Sequence, residues 1–90
     1  MSFVYRSFLS NEQLDAVAGV INPRVDKEYV KVWGNVTEGP TSHWAYRGPY
    51  GCLITVVVGC NADITVRGES KRNVRFELRR LHLRGEIGTQ

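Results

Sequence analysis

The stretch from Cys52 to Gly59, CLITVVVG, constrains the fold of this chain more than any other part of its sequence. Valine and isoleucine are stiff at χ1 and fit a pleated surface better than a helix. An apolar run this short reads as a strand in the middle of a sheet, covered on both faces. It is not a membrane span. The uncharged segment around it, Gly48 to Ala62, holds Pro49, glycines and Asn61, whereas a spanning helix needs about 20 mostly apolar residues.

A central strand needs partners, and the flanking sequence offers several. From Glu28 to Val36 the chain alternates, with Val30, Val32 and Val36 on one face and Tyr29, Lys31, Trp33 and Asn35 on the other. That is the period of a half-buried strand. Glu38-Gly39-Pro40 predicts a turn, and His43 to Arg47 a short strand with Trp44 and Tyr46 on one side. Gly48-Pro49-Tyr50-Gly51 turns the chain into the apolar run. Beyond it, Ile64 and Val66 open another strand, closed by Arg67-Gly68-Glu69-Ser70. Short connections between successive strands predict antiparallel neighbours.

One segment near the start has a different period. Ser10 and Gln13 stand at capping-box spacing, and Leu9 and Leu14 at that of a hydrophobic staple. Glu12 and Asp15 oppose the positive end of a helix dipole. Leu14, Val17, Ala18 and Ile21 recur at helical spacing, and Asn22-Pro23 ends the run. A helix is predicted over residues 10–22, with a short strand before it drawn from Phe3, Val4, Tyr5 and Phe8.

The C-terminal third again reads as a strand. Val74, Phe76 and Leu78 alternate with Asn73, Arg75, Glu77 and Arg79; then the phase slips, and Leu81 and Leu83 become the apolar positions. A β-bulge at Arg79-Arg80 would return every leucine to the core face; the alternative is a strand that ends at Arg79, with Leu81 and Leu83 in a separate segment. The tail, Gly85 to Gln90, is expected to be loose.

These readings combine into one α+β domain spanning residues 1–90. One N-terminal helix packs on a four- to five-stranded, mainly antiparallel sheet. A small curled β-barrel with one helix is the alternative. The expected core is Val30, Val32, Ile54, Val56, Ile64, Val66, Phe76 and Leu78, with Leu14, Val17 and Ile21 from the helix. No signal peptide is visible in MSFVYRSFLS, which points to the cytoplasm. Cys52 and Cys60, at opposite ends of one strand, would stand about 26 Å apart. A disulfide needs Cα atoms within about 7 Å, so two reduced, buried thiols are expected.

Charge is distributed unevenly. Residues 64–90 carry a formal +4, from seven bases and three acids, while residues 1–63 carry −1. Clustered charge makes an electrostatic footprint where average charge does not. On a strand, Arg75, Arg79, Arg80 and Arg84 would project from one face or its edge, with Lys71 and Arg72 in the preceding turn and Arg67 on the neighbouring strand. Arg47, Tyr46 and Tyr50 would extend that patch if their loop folded over the same face. Arginines beside aromatic rings can hold phosphates and stack on unpaired bases. The same arginines also suit a solvated face that blocks edge-to-edge pairing, and Trp33 and Trp44 suit a core.

No catalytic or metal-binding signature accompanies this patch. The Cys52–Cys60 spacing matches no zinc knuckle, and two cysteines along one strand do not converge on an ion. A Cys–His dyad would need a reactive thiol, and both thiols sit in a run that reads as buried. No glycine-rich phosphate loop is present. The expected function is therefore binding without catalysis or cofactor, with nucleic acid or another polyanion on the basic end. The alternative is a small inhibitor or adaptor, of the kind viruses and mobile elements encode, docking on an acidic protein. An open sheet edge would also allow a homodimer.

Overall fold

The computed structural model of the chain describes residues 2–21, 42–59 and 61–89. In chain order it contains strand β1 (Phe3–Leu9), helix α1 (Asn11–Ile21), strands β2 (Ser42–Arg47), β3 (Leu53–Val58) and β4 (Ala62–Gly68), helix α2 (Lys71–Arg80) and a two-residue strand β5 (Gly88–Thr89). The five strands form one sheet in the order β2-β3-β4-β1-β5, and every neighbouring pair is antiparallel. The sheet is open, so the α+β reading holds and the barrel does not. The predicted strand over 28–36, the turn at 38–40 and the core positions Val30 and Val32 lie outside the described residues.

β2, β3 and β4 form a meander, as short turns require. β1 then inserts beside β4 from the far end of the chain, with Tyr5 opposite Val66 and Leu9 opposite Ala62. A row of side chains crosses the sheet on its covered face: Tyr46, Ile54, Val66 and Tyr5, each buried and each opposite the next. β4, not β3, is the middle strand. β3 is internal, but its faces are unequal: Ile54 and Val56 are buried, whereas Leu53, Thr55 and Val57 are partly exposed. The continuous apolar run therefore does not mark a strand sealed on both sides.

α1 starts where its capping box predicts. The Ser10 amide donates to Gln13 Oε1 at 2.9 Å, and the Gln13 amide donates to Ser10 Oγ at 3.2 Å. Val17 and Ile21 are buried in the common core, and Leu14 packs at its margin.

The C-terminal third departs most from expectation. Residues 71–80 are an α-helix, not a bulged strand. Ser70 caps it, its hydroxyl accepting from the Asn73 amide at 3.3 Å. Val74, Leu78 and Leu81 recur at four and three residues, the spacing of one helical face, and all three are buried. The fourth position of that face is Glu77, a charged residue, and it obscures the period. The alternation of Val74, Phe76 and Leu78 is a coincidence of that gap, and Phe76 is only half-buried. What looks like a phase slip at Arg79-Arg80 is the ordinary 3.6-residue repeat.

A Schellman motif closes α2. The Leu83 amide donates to the Leu78 carbonyl at 2.8 Å and the His82 amide to the Arg79 carbonyl at 3.2 Å. His82 takes the left-handed conformation this requires, with φ of 59°. Leu83 is buried beside Leu78 in the core cluster. The tail is pinned as well. Gly88 and Thr89 pair with Val4 and Phe3, and Ile87 packs against the core. The Tyr5 hydroxyl donates to the Arg84 carbonyl at 3.0 Å and ties the return of the chain to β1. No helix among the described residues is long and apolar enough to cross a membrane.

Candidate polyanion-binding surface

Because α2 is a helix, its basic residues fan around an axis instead of lining one strand. At about 100° per residue, Lys71, Arg75 and Arg79 form one flank, and Arg72, Phe76 and Arg80 turn towards the other. The first flank is exposed. It faces the loop from His82 to Ile87 across an open groove of about 900 Å³, whose lining includes Lys71, Arg75, Arg79, His82, Arg84 and Glu86. Helical rise places successive basic residues of the flank about 6 Å apart along the axis. None of Lys71, Arg75, Arg79 and Arg84 is ion-paired with a described residue. Their charge is free to act outward.

Arg80 does not join them. Its guanidinium bonds Glu77 Oε1 through Nε at 3.1 Å and also through Nη2. Glu77 is fully buried and the Arg80 side chain is 14% exposed. Arg80 also stands 5.9 Å from the centre of the buried Tyr46 ring. Burial alone would pull the Arg80 pKa down, but the Glu77 hydrogen bond and charge, with Tyr46 adding to them, hold it above its ordinary value. Tyr46 and Arg80 therefore serve the core beneath the surface.

The remaining predicted residues gather at the turn between β2 and β3. Tyr50, 41% exposed, meets Phe76 at 5.6 Å between ring centres. The Arg72 guanidinium lies 5.4 Å from the centre of the Phe76 ring. Arg47 and Arg67 line a second hollow with Tyr50. The ten predicted positions thus divide into a basic groove, a buried anchor and an aromatic turn. Sequence reading overlooked His82 as a groove residue and Phe76 as a surface aromatic. Both follow once Ser70 is read as a helix cap, since Phe76 then falls one turn beyond Arg72.

Chemistry of the catalytic kind is not favoured by the thiol in view. Burial pushes the Cys52 thiol up from its ordinary pKa, the nearby Glu77 charge adds to the rise, and Arg47 opposes it. Its Sγ packs against Gly68, where a Cβ would come within 2.9 Å of it. Cys60 lies outside the described residues. Among the described residues no cluster of three or more histidine, cysteine or acidic side chains is placed to hold a metal ion. No family model matches the chain, and comparison with curated proteins and with solved structures finds no match either.

Proposed function

We propose that this protein is a non-catalytic binding module that holds a polyanion, nucleic acid foremost, in the groove beside α2. One observation carries the reading: Lys71, Arg75 and Arg79 form an exposed stripe on a capped helix, without an ion-pair partner among the described residues, with Arg84 facing them across the groove. Among the described residues, four cations against the carboxylate of Glu86 bias the groove towards anions. A helix presents its charges at fixed spacing, so little ordering is needed when phosphates bind. The backbone that carries Arg84 is tied to β1 by the Tyr5 hydroxyl, which donates to the Arg84 carbonyl.

Counterion release supplies the test. Four phosphate contacts predict a slope of about −3 to −4 in log K against log salt. Affinity for a short labelled oligonucleotide should then fall roughly a hundredfold between about 50 and 200 mM salt. The double variant Arg75→Ala, Arg79→Ala should flatten the slope by about 1–2 units. Absence of oligonucleotide binding at the lower salt would overturn the nucleic-acid reading. An acidic protein partner would then be the better occupant, with the exposed Tyr50 as its apolar anchor.

A further inference from the structure

The hollow on the opposite flank of α2 has a composition different from that of the groove. It holds about 450 Å³ and is lined by Arg47, Tyr50, Leu53, Arg67, Glu69 and Asn73, among others. We propose that it binds one nucleotide unit, with an unpaired base stacked on Tyr50 and a phosphate held by Arg47 and Arg67. The volume lies in the range of small-molecule sites.

Three features of the structure support this. The first is a row on the sheet face turned away from the core cluster. Arg47 stands opposite Leu53, and Leu53 opposite Arg67. Strand spacing sets the two arginines about 10 Å apart at Cα, with Leu53 between them. Both are exposed, and two long guanidinium side chains converging on one site make a phosphate clamp.

The second is the aromatic stack. Arg72, Phe76 and Tyr50 succeed one another at 5.4 and 5.6 Å, and the stack ends on a partly exposed ring. Bases extend such stacks readily, since every base has a π-face. Tyr50 is held in place by its turn. The Gly48 amide donates to the Cys52 carbonyl at 2.8 Å, and the Gly51 amide to the Gly48 carbonyl at 3.0 Å. Arg47 Nη1 donates to the Gly51 carbonyl at 2.9 Å, which orients Arg47 and braces the turn together.

The third is the pair Glu69 and Asn73. A carboxylate repels phosphate but accepts from a sugar hydroxyl or a base amine, and an amide both donates and accepts. Their presence beside two arginines fits a ligand with an anionic end and a neutral polar end. A bare polyanion would be repelled by Glu69. Duplex nucleic acid keeps its bases stacked internally, so the ligand is a free mononucleotide or an unpaired residue of a single strand.

The test uses the whole chain and a residue-resolved nuclear magnetic resonance titration. The probes are adenosine 5′-monophosphate, ribose 5-phosphate and a single-stranded pentanucleotide. The monophosphate is expected to shift the signals of Arg47, Tyr50, Arg67 and Asn73, and ribose 5-phosphate to bind at least about tenfold more weakly because it lacks the base. Tyr50→Ala should cost a similar factor, Tyr50→Phe should retain affinity, and Arg67→Ala should weaken both phosphate ligands. If the pentanucleotide binds this hollow far more tightly than the monophosphate, the unit belongs to a strand; equal affinities assign it to a free nucleotide. Arg75→Ala, Arg79→Ala should leave the monophosphate shifts unchanged, which separates this site from the groove. Two outcomes overturn the proposal. One is no shift at these residues with either base-containing probe. The other is ribose 5-phosphate binding as well as the monophosphate, with Tyr50→Ala matching the parent.

Discussion

Glu77 shows at the scale of one residue how a charge can belong to a core. It sits on the inward face of α2 between Val74 and Leu78, fully buried, with Arg80 one turn on as its ion-pair partner. Gly48 makes room for it: a Cβ there would collide with the carboxylate. A buried pair contributes little over an apolar replacement of like volume, but losing one partner strands the other's charge. Glu77→Ala should therefore destabilise by roughly 3 kcal/mol or more, by urea unfolding. The double variant Glu77→Met, Arg80→Met should recover much of that loss, because neither charge is then left buried. If the double variant is as unstable as the sum of the singles, the pair is not coupled and this account of Glu77 is wrong.

At the scale of the element, α2 is well begun and ends under tension. Ser70 satisfies one orphan amide at its start, and Arg79 and Arg80 stand in its last turn, where cations suit the negative end of the dipole. Its final residues need a left-handed C′ position, and that position is His82 instead of glycine. A non-glycine side chain there costs on the order of 1–2 kcal/mol. Glycine would relieve that strain but lose more entropy on folding, so His82→Gly should stabilise the domain by about 0.5–1 kcal/mol, measured as a higher urea midpoint at unchanged slope. Strain kept in a native protein often marks a working residue. His82 lines the basic groove, so the strained position and the proposed binding surface coincide.

At the scale of the molecule, one apolar layer joins every described element except the edge strand β5. The covered face of the sheet, α1, α2 and the loop at Leu83 contribute to a single cluster. Val56 sits within it at 1% exposure, next to Ile64 across the ladder. Val56→Ala should destabilise by roughly 2–3 kcal/mol, scaling from larger core truncations. A cost near that of an exposed site would mean that the layer is not continuous through β3. Both candidate binding surfaces depend on this layer only indirectly, because it fixes the rotation of α2. That rotation sends Lys71, Arg75 and Arg79 to one side and the Phe76–Tyr50 stack to the other.

The sequence by itself determined the elements whose signals are local. The capping box at Ser10 and Gln13 specifies where α1 begins, and Gly48-Pro49-Tyr50-Gly51 specifies the turn that joins β2 to β3. Ile64 and Val66 declare their burial through period two, because alternation along a strand is a property of the backbone alone, whereas the unbroken apolar run from Cys52 to Gly59 does not mark Ile54 and Val56 off from Leu53 and Val57. Tertiary structure decided the rest. The helical period of residues 71–80 is obscured by Glu77, which lies buried on the inward face with Arg80 beside it and Gly48 opposite. The pairing of β1 with β4, and of the last residues with β1, joins segments tens of residues apart with no local mark. The basic cluster was legible as a set of residues, but its division into a groove, an anchor and an aromatic turn was not. Composition counts charges, whereas the helical rotation set by the core decides which of them share a surface.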